Sequence, residues 1–225
     1  MSTFTNMKEQ LKNLYTNNLI AFNQIRLTFP NEQFDLPGPF LMSPNSLYSR
    51  QKRRLLIIGQ QTKGWTYDLD IEKQQFTYES FNVGVNYYPS PFWNITRKFE
   101  KAIGNDPLSC AWTNINKFDL EEDRPYGEFE QAISKLDSIL IDEINIIKPE
   151  VCMFFTGPDF DYRLKNLFTN IEFIEIEDWN VRHFCRLKHK DLPEKSFRSY
   201  HPKSLRIQQL EADFIKSIEN IFDKN

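Results

Sequence analysis

Three polar clusters, each following an apolar run, hold the side chains of this 225-residue chain that are best suited to chemistry. In "LLIIGQQTKGWTYD", residues 55–68, the run ends in a glycine followed by Gln60, Gln61 and Thr62. In "LSCAWTN" and the residues after it, Thr113, Asn114 and Asn116 stand at the end, and "EVCMFFTG" ends in Thr156 and a glycine, with Asp159 just beyond. Far downstream, "FRSYHPKSLRIQQ", residues 197–209, places His201 before a proline and ahead of Lys203, Ser204, Leu205 and Arg206. An amide side chain offers a donor and an acceptor at once, and an imidazole can donate, accept or exchange a proton. The loop "GQQTKGW" is neither a Walker A sequence nor a GxGxxG fingerprint, so triphosphate and dinucleotide cofactors lose their usual support.

These residues need elements to position them. "RRLLIIGQ", "LSCAWTN" and "EVCMFFTG" are short, bounded apolar runs, the pattern of strands buried on both faces in a parallel sheet. Between the first two, "SPFWNITRKFEKAIG" repeats Phe92, Ile95, Phe99 and Ile103 at helical spacing, with Ser90 as N-cap and Pro91 at the first helical position. Between the second and third, "YGEFEQAISKLDSILIDEINIIKP" reads as one long amphipathic helix stopped by Pro149. A short helix over "DFDYRLKNLF", a fourth strand over "NIEFIEIE", a late hairpin strand over "RHFCRLKH" and a final amphipathic helix over "LRIQQLEADFIKSIENIF" complete the pattern. Residues 4–29 predict an N-terminal flanking helix, followed by an aromatic, proline-rich loop expected to pack near a cleft. Strand alternating with helix predicts an α/β fold: a three-layer α/β/α sandwich on a central, mainly parallel four-stranded sheet, in one domain spanning 1–225. Ligands of open α/β sheets bind where strands end at their carboxyl edge, which is where the polar clusters fall.

Composition narrows the classes. Hydrophobic residues make up 40% and charged residues 26%, the proportions of a packed globule. No run of 18 apolar residues occurs and the first residues lack a basic and apolar leader, so neither membrane association nor secretion is expected, and a cytoplasmic monomer is the reading. Cys110, Cys152 and Cys185 are scattered, as reduced core thiols are. In "HFCRLKH", His183, Cys185 and His189 share a face if extended, but the spacing matches no common zinc pattern and a fourth ligand is missing. No metal and no cofactor is expected. Net charge is −3, yet residues 119–150 hold ten acids against three bases and residues 181–206 hold eight bases against two acids. A basic stretch beside an acidic body suits a phosphate-binding edge, although solvated loop charge gives the same counts.

Taken in order, four landmarks resemble the uracil-DNA glycosylase superfamily from about residue 38 onward. "IIGQQT" resembles its strand and water-activating loop, "PSPFWNITRKFEKAIG" its helix beginning Pro-Ser, "CAWTNINK" its strand ending in the base-reading Asn, and "YHPKSLR" its His-Pro-Ser-Pro-Leu-Ser loop at the minor groove. The resemblance implies a uracil-DNA glycosylase-like fold and a DNA partner, single- or double-stranded. It implies that Gln61 positions water and His201 stabilises the leaving base, with Gln60, Thr62, Trp65, Phe81 and Asn114 lining the base site; Asn114 would read the flipped base, and Trp65 or Phe81 would stack on it. Lys203, Ser204, Leu205 and Arg206 would meet DNA, with Leu205 as apolar wedge and the cations on phosphates. Two positions depart from the pattern: Gln61 stands where the family has Asp or Asn, and Thr62 replaces Pro. A neutral amide orients water without the charge a carboxylate brings to an oxocarbenium-like sugar; Asp68 and Asp70 lie close enough along the chain to reach back. The implied activity is hydrolysis of the N-glycosidic bond of a uracil-like base. Two alternatives stand beside it: a non-catalytic nucleic-acid or nucleotide binding module of the same fold, and a hydrolase of a free nucleoside or related small molecule. Leu205 also reads as the first apolar residue of the last helix, and His201 as a capping or core histidine.

Overall fold

The computed structural model describes residues 3–29, 36–120 and 124–223. Helices flank a mixed, mostly parallel six-stranded sheet of β1 (Leu55–Gly59), β2 (Ala111–Asn114), β3 (Val151–Phe154), β4 (Glu172–Glu175), β5 (Phe184–Lys188) and β6 (Lys195–Ser199), in the order β2-β1-β3-β6-β5-β4. β1 pairs parallel with β3 and β3 with β6, whereas β5 runs antiparallel to both β6 and β4. The expected α/β class and parallel core are therefore present. The four-stranded count is corrected to six.

The extra central strand has a physical reason for being missed. β6 reads Lys-Ser-Phe-Arg-Ser, without the apolar run that marks β1 to β3, yet Ser196, Phe197, Arg198 and Ser199 are all buried. Its polar groups are satisfied internally: Arg198 donates to Arg182 O at 2.7 Å and pairs with Asp161 at 2.9 Å, and Ser196 Oγ donates to Pro193 O. A buried charge is tolerated when it is paired in this way.

Three long helical stretches are each broken in two. The N-terminal stretch is α1 (Thr3–Asn17) and α2 (Leu19–Thr28). After α3 (Ser46–Arg50), α4 (Ile71–Phe81) and α5 (Pro91–Ala102), the second long stretch becomes α6 (Gly127–Ser134) and α7 (Ser138–Ile147). Following α8 (Asp161–Leu167), the C-terminal stretch becomes α9 (Pro202–Ile207) and α10 (Glu211–Asp223), with Gln209 at φ 59° between them. Apolar periodicity carries across a single-turn break, so the sequence shows one helix where the backbone makes two. The cap predicted for α5 is present: Ser90 accepts from Trp93 N at 3.2 Å and Pro91 opens the helix.

The chain divides into two compact units, one of residues 1–44, 59–80 and 112–148, the other of 45–58, 81–111 and 149–225. In the first, α1 packs against α7 over a fully buried polar network. Lys117 Nζ lies 2.7 Å from Glu143 Oε1 and 2.8 Å from Thr113 Oγ1; Tyr15 and Thr113 donate to the two Glu143 oxygens at 2.9 and 2.8 Å. Tyr15 also accepts from Met42 N, which ties down the buried 36–43 segment of the proline-rich loop. Residues 30–35 of that loop lie outside the described residues. In the second unit, α5 packs against α9 and α10. Buried Glu100 accepts from the backbone N–H groups of Leu108, Ser109 and Cys110 and pairs with Arg97, fixing the turn that leads into β2.

Candidate functional site

The residues singled out in the sequence fall into two sets, one per unit. Gln60, Gln61, Thr62, Trp65 and Asn114 belong to the first; Phe81, His201, Lys203, Ser204, Leu205 and Arg206 belong to the second.

In the first unit, β1 ends at Gly59, and the following loop is bonded to the residues after β2: Ile115 N donates to Gly59 O and Asn116 N to Gln60 O at 3.1 and 2.9 Å. Gly59 is required by crowding. A Cβ there would fall inside contact distance of Asn114 Oδ1 and meet Trp112 Nε1 at 3.4 Å. Asn114 is fully buried; its Oδ1 accepts from the Trp112 indole N–H at 3.1 Å, while its Nδ2 has no hydrogen-bond partner among the described residues. Gln61 is half-buried, and its Oε1 is likewise buried without a donor. A buried polar atom left unpaired costs about 1–3 kcal/mol, so such atoms are rare except where a ligand or water completes them. Gln75 Nε2, in α4 of the same unit, is likewise buried without an acceptor.

The loop carrying Gln61 is held by a carboxylate that sequence reasoning missed. Asp119, fully buried, accepts from Thr62 Oγ1 at 2.6 Å and from Gly64 N at 3.0 Å. Asp68 and Asp70, the two acids expected to reach back, serve α4 instead. Asp70 Oδ1 accepts from Lys73 N at 2.9 Å, and Asp68 accepts from Asp70 N and pairs with Lys73, both at 2.8 Å. The signal available was the short distance from Asn114 to Asp119, which puts an acid within reach of any loop beside the end of β2. Replacing Asp119 by alanine strands the Thr62 hydroxyl and the Gly64 N–H, with an expected loss of about 1–3 kcal/mol in urea denaturation.

Trp65 belongs to an aromatic cluster. Its ring lies 5.0 Å from Phe40 and 6.0 Å from Trp112, both edge-on, and its indole N–H donates to Gln74 Oε1 at 2.8 Å. Tyr78 stacks on Trp112 at 6.3 Å, and its hydroxyl oxygen accepts from the Trp112 backbone N–H at 2.8 Å, closing the outer edge of β2.

In the second unit, His201 caps α9. Its Nδ1 accepts from Lys203 N at 3.3 Å, which puts the proton of the neutral ring on Nε2. Burial, helped by the charge of Lys203, pushes its pKa down to about 4. The imidazole is thus neutral near pH 7 and a donor through Nε2. It lies 5.8 Å from Phe92, ring to ring, and a run of rings continues through Trp93 and Phe81 to the exposed Tyr87. Because the folded value lies below the ordinary 6.5, the unfolded chain takes up the proton first as pH falls. Stability attributable to His201 is present above about pH 6.5 and is lost progressively down to about pH 4. His201→Gln should flatten that part of the pH–stability curve, measured by thermal melts between pH 4 and 7.

The basic loop is less available than its charge count suggested. Leu205 is fully buried and has no surface to offer a duplex, so the reading of it as the first apolar residue of a helix describes its place. Arg206 pairs with Glu211 at 2.8 Å and donates to Asn94 Oδ1 at 2.8 Å. Lys203 is exposed and Ser204 half-buried. Elsewhere in residues 181–206, Arg186 pairs with Glu194, Lys188 with Glu172, and Arg198 is buried. His183 and His189 flank β5, and His189 is held by Thr169 O and Asp191 N. Among the described residues no group of three or more His, Cys, Asp or Glu is arranged to hold a metal ion. The three cysteines are free and buried, their thiols raised by burial. No helix is long and apolar enough to cross a membrane among the described residues.

No protein-family model matches the chain, and no curated protein matches it.

Proposed function

We propose that the protein is a DNA-base glycosylase that hydrolyses the N-glycosidic bond between deoxyribose and a uracil-like base. The observation that supports this most is that two of the buried amide atoms without a hydrogen-bond partner in the first unit, Asn114 Nδ2 and Gln61 Oε1, belong to residues at or just beyond the carboxyl ends of β2 and β1. In this reading Asn114 donates to a carbonyl oxygen of the base, and Gln61 accepts from the water that attacks the anomeric carbon. Water supplies hydroxyl to the sugar and a proton to the base, so free base and an abasic sugar are the products. Thr62 and Asp119 hold the loop rather than react, and the neutral amide at 61 orients water without adding negative charge. His201 in the second unit, neutral and protonated on Nε2, is suited to donate to an oxygen on which charge develops as a base departs. That assignment is tested by its own substitution.

A second reading, hydrolysis of a free nucleoside, is favoured by one observation: Arg186, Lys188, Arg198 and Arg206, half the cations of residues 181–206, are paired with acids, and Leu205 is inaccessible. Chromatographic assay of free base from deoxyuridine and from a uracil-containing oligonucleotide separates the two. Release from the oligonucleotide alone supports the glycosylase, and release from the nucleoside alone supports the second reading. Salt-sensitive oligonucleotide binding with neither product would mark a binding module without chemistry.

A further inference from the structure

We infer that the outer edge of β4 is a docking strand for an extended basic segment of a partner protein, one carrying a cation, two apolar residues and a second cation in succession. The inference is independent of the chemistry assigned to the strand-end residues.

β4 ends the sheet: β5 lies on one side of it and no strand on the other. Alternate residues of an edge strand turn their N–H and C=O groups away from the sheet, which makes such an edge a template for another strand. At the opposite end of the strand order, the Tyr78 hydroxyl oxygen accepts from Trp112 N in β2 and blocks the edge there. β4 has no such cover. Glu172, Ile174 and Glu175 are exposed and Phe173 is half-buried, so both the backbone edge and its apolar side chains meet water.

Charge decides what the edge admits. Residues 172–178, "EFIEIED", hold four acids and no base. All four acids are exposed, and among the described residues Glu172 alone of them has an ion-pair partner, Lys188 on β5 at 3.1 Å. Lys165 is occupied with the Phe173 ring, 5.6 Å from its centre. The strand therefore keeps an excess of acid. Glu172 and Glu175 bracket Phe173 and Ile174, so the order of charges reads the same in both directions. A second copy laid on this edge in register would set acid opposite acid at both ends, whichever way it ran, and like charges directly opposite destabilise a pair. A short, charged edge resists its own kind in this way. The same bracket selects a strand of the opposite pattern, with cations opposite Glu172 and Glu175 and apolar side chains opposite Phe173 and Ile174. Four residues form about four ladder hydrogen bonds, each modest in water, so a short peptide is expected to bind at about millimolar strength.

The test follows the amide NMR spectrum of the full chain during addition of three blocked peptides: Thr-Lys-Val-Val-Lys-Thr, the same peptide N-methylated at both valines, and Thr-Glu-Val-Val-Glu-Thr. The expected result is a saturable set of shift changes centred on β4 with the basic peptide, lost on N-methylation and absent with the acidic peptide. Glu175→Lys, a change at an exposed position, should weaken the basic peptide about tenfold by exchanging an attractive cross-strand pair for a repulsive one. If that variant does not fold, the three peptides on the wild type decide. Shifts in β4 that the acidic peptide produces equally, or that survive N-methylation, overturn the proposal, as does the absence of shifts in β4. A dimer seen by sedimentation and abolished by Ile174→Pro would assign the edge to a second copy and overturn it too.

Discussion

Replacing Asn114 by alanine is expected to reduce release of free base by about 10²–10³-fold, the usual effect of removing one positioned hydrogen-bond donor from a polar site, with a fall in stability of only about 1–3 kcal/mol. The two halves of that expectation have separate causes. Asn114 Nδ2 makes no bond within the described residues, so its loss forfeits nothing there, and only the Oδ1 contact to Trp112 is given up. Taking the acceptor from a buried indole N–H costs about 1–3 kcal/mol. A residue kept for the fold would show the opposite pattern, a large fall in stability with activity following it. Urea denaturation alongside a single-turnover assay distinguishes the two, and a drop in stability that accounts for the lost activity would remove Asn114 from the site.

Glu143→Ala in the same unit is expected to be severely destabilising, by about 3–5 kcal/mol, because it leaves an uncompensated charge where no water reaches. Lys117 is 1% exposed, and burial already pulls its pKa below the ordinary lysine value, against the pull of Glu143. Removing the carboxylate takes away that stabilising partner and strands the hydroxyls of Tyr15 and Thr113. The lysine then deprotonates at lower pH, so the variant gains stability as pH rises through its lowered value, a slope of the same sign as that of an acid-labile salt bridge but lying above the carboxylate range. Pairing Glu143→Leu with Lys117→Met should recover much of the loss, since an apolar pair of similar volume avoids the desolvation cost. Chemical denaturation of the single and double variants checks both statements. Equal destabilisation in all three would show that the network, rather than the unpaired charge, carries the effect.

What could be read from the sequence follows from how each feature is encoded. β1, β2 and β3 announce themselves as bounded apolar runs, and α5 by its Ser-Pro start, because burial on both faces and helix capping each leave a local signature. β6 leaves none. Its buried Arg198 and serines are satisfied by Asp161, Arg182 and Pro193, partners from other parts of the chain. The same distinction runs through the candidate site. Gln61 and Asn114 are legible as candidates because they stand at or just beyond strand ends, but Asp119 gains its role only from a contact 57 positions away in sequence with Thr62. Trp112 sits inside the apolar run of β2, and nothing local shows which side of the neighbouring amide its N–H will meet. Leu205 fits a wedge by motif position, yet helix burial decides where its side chain goes.

The central claim is tested most directly by incubating the protein with end-labelled single- and double-stranded oligonucleotides carrying one uracil, then cleaving abasic sites with alkali. The account predicts a cut at the uracil position that is lost in Asn114→Ala and greatly weakened in His201→Ala, both folded. Absence of any alkali-sensitive site from folded wild-type protein, or a cut that survives in both variants, would contradict it.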